Sequence, residues 1–211
     1  MKCSYCEWYC ELKEGSTGVC GSYTQDNGVI KERYPHRWSS LNAVHIESLP
    51  FYHAYPGSRT LLIGSSSCNF DCSYCSNSYI ARESPSRLYL FNLEPEQVVM
   101  RARQTGCHNI VFAVNEPMVS LQSIKEVAEE AQGAGIPVGC MTNGYQTPES
   151  VELLSGICSF INISLKSISS RFYYKYVGIR NMEPILRNIK YLAARNHIEI
   201  TTPIIQSLND H

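Results

Sequence analysis

Five short apolar runs, each separated from the next by a segment of helical periodicity, constrain the fold of this chain more than any other feature. They are Thr60-Leu61-Leu62-Ile63-Gly64 and residues 109–114, 137–141, 160–165 and 198–205. Strands this short and mostly apolar bury both faces, as in a parallel sheet covered by helices. The intervening helices have readable starts. Pro95 opens one, and Leu121, Ile124, Val127, Ala128 and Ala131 form a stripe on the next. Thr147 offers an N-cap with Pro148 at the first helical position, and Ile185, Leu186, Ile189, Leu192 and Ala193 line one face of the last. The predicted fold class is therefore α/β, a partial (β/α) barrel with its functional residues at the strand exits.

The first strand empties into Ser65-Ser66-Ser67-Cys68-Asn69-Phe70-Asp71-Cys72-Ser73-Tyr74-Cys75. Three thiols in one compact loop can turn toward a common centre, and soft thiolates select iron-sulfur clusters, zinc or Cu(I) over hard cations. A closed structural zinc site wants four protein ligands. A 4Fe-4S cluster on three cysteines instead keeps one iron open to a small molecule. Three buried or zinc-bound cysteines are the plain alternative.

The spacing Cys68-x3-Cys72-x2-Cys75, with Tyr74 just before the last cysteine, closely resembles the signature of radical S-adenosylmethionine (SAM) enzymes. The resemblance implies a partial (β/α) barrel of the radical SAM type, with Cys68, Cys72 and Cys75 holding a 4Fe-4S cluster. It implies SAM as second cofactor, an electron donor such as ferredoxin or flavodoxin, and a 5′-deoxyadenosyl radical that abstracts hydrogen from a substrate. At the second strand exit, Glu116 in Asn115-Glu116-Pro117 falls where the family has its amino-group motif. A carboxylate there accepts a hydrogen bond from a cationic amino group; an ordinary helix start is the plain reading. Asn143 and Lys166, at the next two exits, are candidates for the ribose and carboxylate of SAM, against a capped turn and a solvated lysine.

Thr142-Asn143-Gly144 and Ser164-Leu165-Lys166 look like segments of the pyruvate formate-lyase activating enzyme branch, with Ser164 standing where that branch has an acidic residue. Glu199, Thr201, Thr202, Asn209 and Asp210 match a further arrangement of the same branch in kind and spacing. The broadest resemblance is to the AmmeMemoRadiSam type, relatives of the glycyl-radical activating enzymes. It takes in the N-terminal cysteines with Gly15 and Gly18, and the segment Tyr52-His53-Ala54-Tyr55-Pro56-Gly57. The expected activity is that of an oxidoreductase or activating enzyme on an unidentified substrate, a glycine of a partner protein included. The rival is a noncatalytic iron-sulfur or zinc protein that transfers electrons or binds a partner.

A second group of thiols, Cys3, Cys6, Cys10 and Cys20, lies among glycines at the N-terminus. These four can close around one zinc or a second iron-sulfur cluster, or stand as free thiols on a poorly ordered terminus. Asp26-Asn27-Gly28 is a hairpin signal. Residues 1–57 are expected to form a Cys-rich appendage and 58–211 the barrel, incomplete where the chain stops at Asn209-Asp210-His211. His53 is read as a packed or surface histidine before a ligand or proton donor. Arg171 to Tyr176 mixes aromatics and cations, half core and half solvated helix unless it faces a substrate or single-stranded nucleic acid.

At 44% hydrophobic and 18% charged residues the chain is not wholesale disordered. A net charge of -1 argues against broad nucleic-acid binding through an overall positive field. No apolar run spans a bilayer and no signal-peptide core follows Met1-Lys2-Cys3, so a cytoplasmic location is expected. In a reducing compartment, ten cysteines point to metal ligation before disulfides.

Overall fold

Local sequence decides the elements, and burial assigns their faces. The structure, a computed structural model, describes residues 1–210. His211, in the stretch where the sequence predicts a further strand to follow, lies outside the described residues. In chain order the strands are β1 (Tyr23–Asp26), β2 (Val29–Glu32), β3 (Arg37–Trp38), β4 (Ser40–His45), β5 (Arg59–Gly64), β6 (Phe91–Asn92), β7 (Asn109–Phe112), β8 (Val138–Thr142), β9 (Phe160–Ser164) and β10 (His197–Thr201). The helices are α1 (Ser78–Ala81), α2 (Pro95–Gln104), α3 (Leu121–Gly133), α4 (Pro148–Ile157), α5 (Ser170–Phe172) and α6 (Glu183–Ala193), with a π-helical turn over Tyr173–Val177.

Six strands form one sheet in the order β10-β9-β8-β7-β5-β4. The five runs read from the sequence are the parallel ones, with β5 beside β7, β7 beside β8, β8 beside β9 and β9 beside β10. β4 joins antiparallel to β5, Ser40 opposite Gly64, so part of the N-terminal region completes the edge of the main sheet. The architecture is the expected α/β partial barrel. Asn27 and Gly28 hold φ of 51° and 75°, the pair of positive values that a two-residue type I′ hairpin needs, and β1 pairs with β2 across them.

Side-chain alternation along the strands separates two cores. Leu61 and Ile63, Ile110 and Phe112, Val138 and Cys140, and Ile161 and Ile163 point to the helices, meeting Val98, Ile124, Val127, Val151, Leu154 and Leu192. Leu62, Val111, Met141 and Phe160 point the other way, against Ile46, Phe51 and Ala54. Phe51 meets Phe160 edge-on at 5.0 Å. Gly139 leaves room for that ring, since a Cβ there would lie 2.3 Å from Phe160.

The helix starts behave as read: Pro95 opens α2, and Thr147 accepts the Ser150 N–H at 3.3 Å to cap α4. The α3 stripe is fully buried. On α6, Ile185 and Leu192 are buried and Leu186 and Ile189 pack at the edge, but Ala193 is exposed. It sits where the helix gives way to the turn before β10, past the reach of the sheet. The residue that shares the buried face instead is Asn188.

Candidate functional site

All six residues singled out at the strand exits line one cavity of about 320 Å³: Cys68, Cys72, Cys75, Glu116, Asn143 and Lys166. That volume is at the lower end of small-molecule sites, which run from about 300 to 1,000 Å³. Parallel strands deliver them there because every β5, β7, β8 and β9 exit faces the same end of the sheet.

The loop after β5 is pinned from several sides. Asn115 donates to Ser65 Oγ and to the Ser67 carbonyl, both at 2.9 Å, and Asn77 donates to the Val114 carbonyl at 2.8 Å. Val114 has φ of 75°, a strained value for a β-branched residue. Its side chain fills the space left by Gly64, where a Cβ would come within 2.9 Å of it. Further along, Asp71 and Ser73 donate their N–H groups to the carbonyls of Val177 at 3.1 Å and Tyr176 at 2.9 Å. The Arg82 guanidinium sits 2.9 Å from Asp71 and also bonds the Cys72 carbonyl. Thus the aromatic stretch 171–176 buttresses the cysteine loop, with Phe172 and Tyr173 buried and Tyr174 exposed.

Glu116 is only 3% exposed. Its carboxylate accepts from the Thr142 hydroxyl at 2.8 Å, the Asn143 N–H at 2.7 Å and the Met118 N–H at 3.2 Å. Burial raises its pKa, and those donors oppose the rise. All three partners are neutral. Asn143 Nδ2 donates to Asn69 Oδ1 at 2.7 Å, while its Oδ1 accepts the Tyr145 N–H at 2.9 Å. Lys166 is half-buried, its N–H donating to the Tyr173 hydroxyl at 3.0 Å and its carbonyl accepting from Asn209 at 2.9 Å.

Burial pushes the Cys68 thiol up, and the Glu116 charge adds to it. Burial also raises Cys72, against the pull of the Lys166 cation. Tyr74 lines the same cavity with a buried hydroxyl that has no hydrogen-bond partner among the described residues. As placed, no three His, Cys, Asp or Glu side chains among the described residues stand close enough to share one metal ion.

Of the remaining candidates, Thr201 borders the cavity, but Glu199 does other work. It accepts the N–H groups of Tyr52, His53 and Ala54 at 2.8 to 3.1 Å, tying that segment to the edge strand. The His53 ring is exposed, as the surface reading expects. Sequence reasoning missed a supporting set. Thr142 accepts from Gln146 at 2.7 Å, and Asn188 donates to the carbonyls of Gly144 at 2.9 Å and Gln146 at 2.7 Å. The one signal for Asn188 was a polar residue on an otherwise apolar helix stripe.

Comparison with known proteins agrees with this arrangement. The profile of the radical SAM superfamily matches residues 62–211. The uncharacterized protein MJ0808 of Methanocaldococcus jannaschii is 29% identical, covering 100% of this chain and 62% of its own length. The GTP 3′,8-cyclase of Pasteurella multocida is 27% identical, covering 68% of this chain and 44% of its own. The chain thus spans less than two thirds of either relative. Archaeal TYW1 superposes with a TM-score of 0.51 at 15% identity, over 89% of this chain and 70% of that one. SuiB of Streptococcus suis bound to S-adenosylmethionine gives 0.51 at 17% identity, over 74% and 36%. At such identities the structural likeness is one of fold. Among the described residues no helix is long and apolar enough to cross a membrane.

Proposed function

This chain belongs to the radical SAM superfamily, and on that premise we propose that it cleaves S-adenosylmethionine reductively at a 4Fe-4S cluster held by Cys68, Cys72 and Cys75. The observation that carries this reading is Glu116, a buried carboxylate whose bonded partners are all neutral, on the wall of a cavity that also holds three thiols. A buried carboxylate is costly without a cationic partner. The amino group of SAM is such a partner.

The residues present fit the group. A four-iron cluster spreads its cysteine sulfurs over different irons, so its ligands stand farther apart than those of a single ion, and three thiols leave one iron free for SAM. When bound, the cluster supplies the one electron that splits the sulfonium into methionine and a 5′-deoxyadenosyl radical.

The protein's own groups bind and orient. Glu116, its carboxylate held in place by Thr142 and the Asn143 N–H, would accept the SAM amino group. Lys166, on the same wall, would pair with the SAM carboxylate. Asn143 Oδ1 spends one lone pair on Tyr145, and an amide oxygen has a second for a ribose hydroxyl. Phe70 and Tyr74 would supply the aromatic part of the wall beside the bound group.

Kinship leaves the substrate open. The relatives' names point to a nucleotide for GTP 3′,8-cyclase and a precursor peptide for SuiB. Our reading puts the chain near the AmmeMemoRadiSam and glycyl-radical activating branch, with ferredoxin or flavodoxin as donor and a partner-protein glycine among the candidate substrates. The test is anaerobic reconstitution with iron and sulfide, reduction by dithionite with SAM, and chromatography for 5′-deoxyadenosine. The expected product forms with the native chain and not with Cys72→Ala. A cluster-loaded native chain that binds SAM without cleaving it would make the protein a noncatalytic iron-sulfur binder.

A further inference from the structure

We infer that Cys3, Cys6, Cys10 and Cys20 form a closed four-thiolate site for a single zinc-like ion that fixes the N-terminal segment against the Cys68–Cys75 loop. The four thiols share the wall of one small, nearly enclosed cavity of about 10 Å³, together with Tyr23 and Asn69. A space of that size admits one water-sized occupant. As the side chains stand, it has no room for an organic ligand. Its remaining lining is apolar or neutral, with no carboxylate or imidazole, and an all-thiol donor set selects a thiophilic ion. Four protein donors leave no open position, so the ion is structural.

The backbone is already arranged around that point. Cys3 donates its N–H to the Cys10 carbonyl at 2.8 Å, and Lys2 bridges to Glu11, so the first two thiol-bearing turns are held together. The Val19 N–H donates to Cys10 Sγ at 3.4 Å, the kind of contact that stabilises a sulfur carrying negative charge. Gly18 lets this loop close over the sulfur, since a Cβ there would sit 3.1 Å from it. All four cysteines are free thiols. Their sulfurs stand too far apart to share an ion as placed, and a turn about each Cα–Cβ bond is the motion that brings them together.

The segment has reason to need such a staple. Its own buried apolar core consists of Cys3, Leu12 and Tyr23, too little to order a small unit by burial alone. Its contacts run to the residues on either side of Cys68 and to the start of α4: Trp8 Nε1 donates to the Asn69 carbonyl at 2.8 Å, Ser67 Oγ bonds the Cys20 carbonyl, and Thr147 donates to the Ser4 carbonyl at 2.7 Å. An ion held by the four thiols therefore braces the residue next to Cys68 from behind.

The experiment uses the full chain carrying Cys68→Ala, Cys72→Ala and Cys75→Ala, so that bound metal reports on the N-terminal group independently of the proposed cluster. Elemental analysis should find about one zinc per chain, and Co²⁺ exchanged into the site should show the sulfur-to-metal charge transfer and tetrahedral bands of a thiolate site. Adding Cys10→Ser should weaken the charge-transfer band, whereas adding Cys107→Ser should not. Should Cys10→Ser fail to fold, thiol titration of the parent with and without chelator replaces it, the chelator exposing four further thiols. A folded chain with negligible zinc and no cobalt charge-transfer band overturns the inference. So does iron with sulfide that depends on these four cysteines.

Discussion

Two groups of cysteines in this protein stand close to each other and differ in what surrounds them. Cys68, Cys72 and Cys75 open onto about 320 Å³ beside a buried carboxylate and a lysine. Cys3, Cys6, Cys10 and Cys20 enclose about 10 Å³. Asn69 lies between them, lining the small cavity while its side chain bonds Asn143 on the wall of the large one. Thiol chemistry is common to both. The difference teaches that donor count and enclosed volume, taken together, are what would separate the proposed ligand-binding site from the proposed ion site.

The largest expected effect is a double dissociation between the groups. Cys72→Ala should reduce 5′-deoxyadenosine formation to background while the N-terminal metal stays at its native stoichiometry. Cys20→Ser should do the opposite, losing that metal while the iron and sulfide of the reconstituted chain persist. Loss of both metals in either single variant would mean that the two groups form one site.

Next comes Glu116→Gln, which keeps the shape of the side chain and removes its charge. A hydrogen bond to a charged group contributes about 1.5–3 kcal/mol, so SAM should bind roughly 10- to 100-fold more weakly by titration. Because Glu116 lies outside the small cavity, N-terminal metal content should not change. Unaltered SAM affinity would remove the carboxylate from the proposed site.

A smaller effect is expected at Asn188→Leu. The Gln146 carbonyl keeps a bond from Arg187 at 2.8 Å, but the Gly144 carbonyl loses its Asn188 donor. One orphaned buried acceptor costs about 1–3 kcal/mol, which for a chain of this size lowers Tm by several degrees. Thr142 and Asn143 at the start of that loop line the large cavity, so SAM affinity should fall along with stability.

The smallest effect lies away from both groups, at Glu199. Burial acts to raise its pKa, but the N–H groups of Tyr52, His53 and Ala54 and the His197 ring prevail and hold it at about 2. A folded-state pKa below the unfolded value means the stabilisation is present above the usual carboxylate range and is lost as pH falls from there toward about 2. Glu199→Gln should therefore lower Tm slightly at neutral pH and flatten its decline in acid. Metal content of either group should not respond.

Much of the fold was legible because it rests on local patterns. Apolar runs such as Asn109 to Phe112 are buried along their whole length, and nothing but a two-faced sheet suits them. The candidate site was legible for a related reason: polar residues directly after such runs, Glu116, Asn143 and Lys166 among them, have only the strand exits to occupy. β4 was harder to read. Ser40 to His45 mixes polar and apolar residues with intermediate burial, a pattern too weak to declare an edge strand. The support of Glu116 by Thr142, and of its loop by Asn188, depends on partners 26 and 44 residues away in the chain, a distance over which no periodicity carries information.

By itself, then, the sequence determined the donor chemistry, the order of strands and helices, and the end of the sheet at which the polar residues emerge, because spacing, capping and hydrophobic period act over a few residues. Only the tertiary structure decided that six side chains from four strand exits share one cavity, that Glu116 is buried among neutral donors, and that one thiol group is open and the other closed. Volume and desolvation belong to the packed chain: they arise where distant segments meet, and no stretch of residues holds them alone.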